Sequence, residues 1–196
     1  MAEEENISRA IDRTGLRDRP EVLALVGRAT SGDIEAFGDL YTLYLNPIYR
    51  YVFYHVRDKM TAEDITEEVF IKAWKAIDSC KGKEQTFSSW LYRIAHNQMV
   101  DKLRSTQKRQ AVEVRKQSLP ETSDIEKEIE ARLEWEQTLE AISCLPKKQK
   151  QIIILKFVEG MDNREIERIT GKSQNSIRVL QMRALSTLCQ RLHKEG

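Results

Sequence analysis

Five residues in the middle of the chain have the types needed to hold nucleic acid. Trp90, Arg93, Asn97, Asp101 and Arg104 recur at steps of three, four, four and three, so a helix over 87–104 places them on one stripe. An indole that stacks, an amide that both donates and accepts, and guanidinium groups that reach phosphate suit unpaired bases and their backbone. The stripe can be wet, because Leu91, Ile94, Ala95, Met99 and Leu103 supply a separate apolar side, and Ser88 or Ser89 could cap the helix start. On spacing alone, the plainer reading is a solvated helix face with one amphipathic Trp and an Asp101/Arg104 pair.

A second set lies towards the carboxyl end. Asp162 is placed to cap a helix over 163–170, Gly171 makes a tight turn, and Ser173 caps a longer helix from Gln174 to about His193. A helix of about eight residues, a short turn holding Gly and a longer helix form the helix-turn-helix signature. Its second helix would lead with Gln174, Asn175, Ser176 and Arg178, where such motifs touch base edges, and carry Arg183 further along for phosphate. The same arrangement occurs in ordinary helical bundles, so the motif alone leaves the reading open.

No enzyme chemistry accompanies these sets. His55, His96 and His193 have neither metal-ligand spacing nor a partnered nucleophile and read as amphipathic surface residues. There is no glycine-rich phosphate loop and no paired catalytic carboxylate, so no cofactor or metal is expected. Cys80, Cys144 and Cys189 are far apart, without CxxC or Cys/His spacing, and read as small, semi-buried apolar residues.

The elements that position both sets are helical. Only 8 Gly and 4 Pro occur in 196 residues, and 40 % hydrophobic with 32 % charged residues fits a soluble globular protein. No run of about 18 apolar residues and no secretory leader is present, which makes cytoplasmic the default. Residues 1–20 read as a mobile tail. Pro20 could open a short helix that Gly32 ends, and Asp33 caps the next. From Ile34 to Val56 the apolar positions keep a 3,4 spacing, with five of the six tyrosines among them; they read as core, and Pro47 should bend or interrupt this helix. Thr61 is placed to cap a further helix, with Asp64 completing a capping box. Glu63, Asp64, Glu67, Glu68, Lys72 and Lys75 form its charged side, which plain helix electrostatics explains on spacing alone.

Residues 105–123 lose periodicity and read as a flexible linker able to span up to roughly 60 Å when extended. Asp124 should start a helix that stops before Pro146, and Lys147 to Val158 should form another, closed by Gly160. The net charge of +1 hides segregation. From Lys81 to Gln117 nine Lys/Arg stand against three Asp/Glu, a net of +6; from Leu145 to Gly196 eleven stand against five, again +6. Between them Ser118 to Glu140 carries eight acids against two bases, a net of −6. Two basic blocks around one acidic block point to a nucleic-acid binder with two footprints.

In order along the chain, GDIEAFGDLYTLY, AEDITEEVFIKAWKAI, FSSWLYRIAHNQMVDKLR and LPKKQKQIIILKFVEGMDNREIERITGKS resemble region 2 and the start of region 4 of the extracytoplasmic-function (ECF) group of bacterial RNA polymerase sigma factors. The resemblance covers about Val22 to Arg104 and Glu134 to Leu192. It implies an all-α protein of two small helical domains: region 2 over 21–104, a linker over 105–123, and region 4 over 124–196. The activity implied is binding core RNA polymerase, directing it to promoters through −35 and −10 elements and promoting strand opening, with no catalysis by the chain itself. Core polymerase and duplex and single-stranded promoter DNA are the implied partners, an anti-sigma factor is a further one, and no membrane insertion is involved. A free-standing helix-turn-helix regulator is the alternative.

Carried over by position, Asp64, Glu67, Glu68 and Lys72 lie on the block that binds the polymerase clamp's coiled coil, which reverses the plainer reading of that face. Ser79 to Phe87, with Lys81 and Lys83, correspond to the loop that joins Asn97 in holding a base flipped out of the −10 element; Trp90, Arg93 and Arg104 would guide the strand. Ser173, Gln174, Asn175, Ser176, Arg178, Val179, Met182 and Arg183 fall where the family contacts −35 DNA. Three departures stand out. Glu67 replaces a common Gln, and QNSIRVLQMRA differs from the usual recognition helix at Asn175, Val179 and Leu180. Glu167 replaces a small Ala between the two helices, so it must point outward or pair with a base such as Arg178.

Overall fold

The computed structural model describes residues 20–80, 86–107 and 139–192, and among these there is no strand. The helices are α1 (Pro20–Ala29), α2 (Ile34–Val56), α3 (Lys59–Lys75), α4 (Phe87–Gln107), α5 (Lys147–Ile153), α6 (Asn163–Thr170) and α7 (Gln174–Leu192). A 3-10 turn, Ile77–Cys80, follows α3, and a π turn, Ile154–Val158, continues α5. The tail, most of the linker, most of the helix expected from Asp124 and the side chain of His193 lie outside the described residues; only a helical end over 139–143 remains of the Asp124 helix.

Local chemistry sets most boundaries. The Asp33 carboxylate accepts from Ala36 N at 3.1 Å and from Arg28 Nε at 2.8 Å. Those bonds hold its carboxyl below the usual carboxylate range and fix the α1–α2 corner behind left-handed Gly32 (φ 92). Arg57, also left-handed at φ 59, caps α2 by returning its N–H to Phe53 O. Asp58, not Thr61, is the N-cap of α3, its carboxylate accepting from Thr61 N at 2.8 Å. A carboxylate three residues upstream competes better for that N–H than a threonine inside the first turn. Likewise Thr86, rather than Ser88 or Ser89, accepts from the start of α4, at Ser89 N. Pro47 does not interrupt α2, which runs unbroken through it for 23 residues. The packing of α2 against α1, α3 and α4 outweighs one missing N–H.

α2, α3 and α4 pack on one another, with Leu40, Ile48, Tyr51, Ile65 and Leu91 fully buried among them. In the second group α5 and α6 pack on α7 around Ile152, Leu155, Met161, Ile166 and Ile177. Burial of each such side chain contributes about 1.5–3 kcal/mol. The two groups are not apart: α6 packs on α4, the π turn packs on α2, and one apolar cluster runs through both. Six successive residues, Lys150 to Leu155, are buried, because this helix lies between the two groups and is covered on every side. The expected single helix from Lys147 to Val158 therefore divides: Glu159 N bonds back five residues to Ile154 O, and Phe157 turns outward, 58 % exposed.

Candidate nucleic-acid and polymerase interfaces

The stripe on α4 survives in part. Arg93, Asn97, Asp101 and Arg104 are exposed along one side of the helix. Trp90 does not join them. It is 3 % exposed, its ring 5.6 Å from Phe87, which in turn meets Tyr44 edge-on at 5.2 Å. Phe87 to Tyr92 are all buried, because the first turns of α4 are inserted into the bundle, so the wet stripe begins only at Arg93. Ser79 is exposed in the 3-10 turn and donates to Ala76 O at 2.7 Å, while Lys81 and Lys83 lie outside the described residues.

The charged face of α3 is tied to α4 by one side-chain network. Gln98 donates to Glu68 Oε2 at 2.6 Å and accepts from Lys72 Nζ, and Lys102 stands 3.9 Å from Glu68 Oε1. This holds the two helices, and so the two candidate surfaces, in fixed relation. Asp64 and Glu67 are exposed and have no partner among the described residues. They are the acids left open to a basic partner.

The carboxyl-terminal set folds as the sequence requires. Asp162 and Glu165 form a reciprocal capping box, with bonds of 2.8 and 2.9 Å. Gly171 turns the chain at φ 68, and Ser173 Oγ accepts from Ser176 N at 3.4 Å. Asn175, Ser176, Arg178, Val179, Met182 and Arg183 are exposed on α7, with Ser173 beside them and Gln174 half-buried. Glu167 neither points free nor pairs with Arg178. It accepts from Gln174 Nε2 at 3.0 Å, while Arg178 reaches Asn175 Oδ1 at 3.4 Å. Arg178, one turn further along the same side of α7, is exposed and turns to Asn175 instead, whereas half-buried Gln174 meets Glu167 of α6.

Between the groups runs a polar seam that periodicity missed. Tyr92 donates to Glu159 Oε2 at 2.5 Å, and Arg50 Nε stands 3.9 Å from Glu159 Oε1. Gln151 Nε2 meets His96 Nδ1 at 2.7 Å, and Lys150 reaches His55 O at 3.4 Å. His55 is not a surface residue: burial, with the Lys150 charge beside it, pushes its pKa down to about 3, and burial lowers that of half-buried His96 too. Burial likewise lowers Lys150 to about 8. The available signal was Lys150, Gln151 and Glu159 flanking the run IIIL, polar residues on a helix with no solvent side. Of the cysteines only Cys80 is buried, its thiol pushed up to about 11; Cys144 and Cys189 are exposed, against expectation.

Among the described residues no group of His, Cys, Asp or Glu could hold a metal ion, and no helix is long and apolar enough to cross a membrane. Two family models match the chain: sigma-70 region 2 over residues 40–109 and sigma-70 region 4 over 135–188. The ECF RNA polymerase sigma factor BldN of Streptomyces coelicolor is 34 % identical over 179 residues, 89 % of this chain and 67 % of the relative. The RNA polymerase sigma factor NccH of Alcaligenes xylosoxydans xylosoxydans is 32 % identical over 173 residues, 84 % of this chain and 91 % of the relative. In fold, the chain is similar to CnrH in complex with the cytosolic domain of CnrY (TM-score 0.67, 24 % identity, 88 % of this chain and 97 % of that one). It is also similar in fold to RpoE of Bartonella quintana in complex with the anti-sigma factor NepR (TM-score 0.69, 20 % identity, 82 % and 98 %).

Proposed function

This chain belongs to the sigma-70 family, in its ECF group, and from that premise we propose which of its surfaces performs each part of promoter-directed initiation. It is an initiation factor and not an enzyme: it binds core RNA polymerase and directs it to promoters. The free-standing regulator, which the helix-turn-helix left open, is not favoured, because the region 2 match accounts for the amino-terminal helices.

The observation that carries the assignment is the α4 stripe, where Arg93, Asn97 and Arg104 are exposed with Asp101 on one side while Phe87 to Tyr92, Ala95, Gln98 and Met99 are buried. Asn97 offers paired donor and acceptor to a base flipped from the −10 element, and the two guanidinium groups hold the strand's phosphates. Ser79, Lys81 and Lys83 belong to the stretch that corresponds to the loop holding the same base with Asn97. Trp90 and Phe87 act from beneath, packing the helix start rather than stacking on DNA. Asp64 and Glu67 meet the basic side of the polymerase clamp, with Glu68 and Lys72 giving part of their bonding to α4. Ser173 to Ser176, Arg178, Val179, Met182 and Arg183 of α7 face the −35 duplex. Residues 21–104 and 124–196 act as the two domains, with 105–123 between them, in the compartment that holds the polymerase, the cytoplasm. The solved relatives in complex with CnrY and NepR support an anti-sigma factor as a further partner.

The two DNA elements lie about one and a half duplex turns apart, roughly 50 Å. Packed helices stand about 8–10 Å apart, so α6 on α4 and α7 on α6 leave α7 within roughly 20 Å of the α4 axis. The domains therefore part along the Glu159 seam when both elements are held. Run-off transcription with core polymerase and a pool of genomic fragments tests the whole reading. New transcripts that start downstream of a shared two-part motif are expected. A folded protein that neither binds polymerase nor yields new transcripts would refute it.

A further inference from the structure

Glu167 and Gln174 make a contact that has a direction. A carboxylate only accepts, so the atom of Gln174 that faces Glu167 Oε2 at 3.0 Å is the amide nitrogen, and the amide oxygen points away. A second clasp lies further along, where Gln181 Nε2 meets Asn163 Oδ1 at 3.0 Å. That clasp joins two amides, which exchange donor and acceptor simply by turning over together. Only the first is fixed by chemistry.

With one N–H held by Glu167, Gln174 keeps its oxygen and a second N–H. Gln174 is half-buried at the leading end of α7, beside exposed Asn175 and Arg178, so its free groups border the outer face. An amide that offers an acceptor and a donor side by side matches one base edge in the major groove: adenine, with its N6 amino donor and N7 acceptor. A glutamine without such a partner would be free to turn over and would have to lose that freedom on binding. The Glu167 charge also repels phosphate, so it weakens binding to every duplex while sharpening the choice among them.

We propose that Glu167 is a positioning residue for promoter choice, holding the Gln174 amide in the sense that selects an A·T pair at one position of the upstream element. The proposal rests on the reading that α7 enters the major groove of that element. It predicts opposite signs for two quantities, which a mere clasp between helices would not produce. Loss of a clasp loosens the motif and lowers affinity and selectivity together.

The test uses holoenzyme assembled from core polymerase and the full chain, transcribing promoters randomised across the upstream element. The wild type is expected to favour adenine at one position that Gln174→Ala flattens. Glu167→Ala should flatten the same position by roughly tenfold, leave the others, and bind random duplex more tightly. Glu167→Gln keeps a clasp but makes it a pair of amides free to turn over together, so it should leave the motif intact and still lose the preference at that position. The proposal is overturned if Glu167→Ala keeps the adenine preference, or if it weakens every position together. It is also overturned if the position that Gln174 controls favours another base. Failure of the underlying reading looks different: the wild type then shows no upstream preference, and Arg178→Ala changes nothing.

Discussion

Glu159→Ala removes the acid at the centre of the contact between the two domains. The side chain is 3 % exposed, with the Tyr92 hydroxyl 2.5 Å from one oxygen and Arg50 Nε 3.9 Å from the other. Its loss leaves a hydroxyl and a guanidinium facing a cavity they cannot fill. Removing one partner of a buried pair costs about 3–5 kcal/mol. Arg50 is about a quarter exposed, its side chain at 27 %, which favours the lower end. Each domain keeps its own core, so the strain is relieved by separation and not by unfolding. A cost of about 3 kcal/mol shifts the closed-to-parted ratio by roughly a hundredfold. Small-angle scattering of the free protein should show a larger radius of gyration for Glu159→Ala than for the wild type, with helix content by circular dichroism unchanged. Tyr92→Phe, which removes only the hydroxyl, should fall between them. An unchanged radius for Glu159→Ala, with the wild type compact, would refute the claim that this acid holds the domains together.

Three further outcomes are expected. Asn97→Ala should leave helix content and polymerase binding near normal and impair promoter opening, read by permanganate reactivity at the −10 element; equal opening would remove Asn97 from the base pocket. Charge reversal at the two unpartnered acids, Asp64→Lys with Glu67→Lys, should weaken core binding at least tenfold, more at low than at high salt, while Glu63→Lys serves as the control, since Glu63 lies 3.9 Å from Lys59. Acid should loosen the closed form. His55 titrates at about 3 when folded against 6.5 when exposed, so the folded state binds fewer protons in that window. The stability it contributes is complete above about pH 6.5 and declines as pH falls, by up to about 2 kcal/mol at pH 5. His96 acts in the same direction, and Lys150 adds stability only as pH rises above about 8. Melting temperatures at pH 7.5 and pH 5 should differ in the wild type and differ less in His55→Leu; equal differences would exclude His55.

What could be read from sequence is what neighbours in sequence decide. Asp33, Asp162, Ser173 and Gly171 act on residues two to four positions away, and the structure uses each as its type requires. The helix-turn-helix was legible for the same reason. Trp90, His55 and Phe157 were not, because amphipathic side chains suit either side of a boundary, and the element that decides lies far along the chain. Tyr92 and Glu159 are 67 residues apart, and no periodicity connects them. Glu167 shows the limit most clearly. Its need for a partner was evident, but the choice of Gln174 over Arg178 depended on the turn between α6 and α7, which sets the first residue of α7 against Glu167 and leaves the fifth, one turn further along the same side, exposed.

The π turn after α5 bears on how this region can be exchanged with that of a relative. Its bond from Glu159 N to Ile154 O spans five residues where an α turn spans four, so the segment holds one residue more than a regular helix of the same rise. A chimera joined within 154–158 to a partner whose helix is regular there would rotate everything downstream by about 100°. Glu159 would leave Tyr92, and Phe157 would turn towards the core. A junction between Gly160 and Asp162 keeps the extra residue with its own helix. There Met161 N already returns to Leu155 O at 2.9 Å and the Asp162 cap starts the next helix afresh, so α6 and α7 can be traded together while Glu159 keeps its bond to Tyr92.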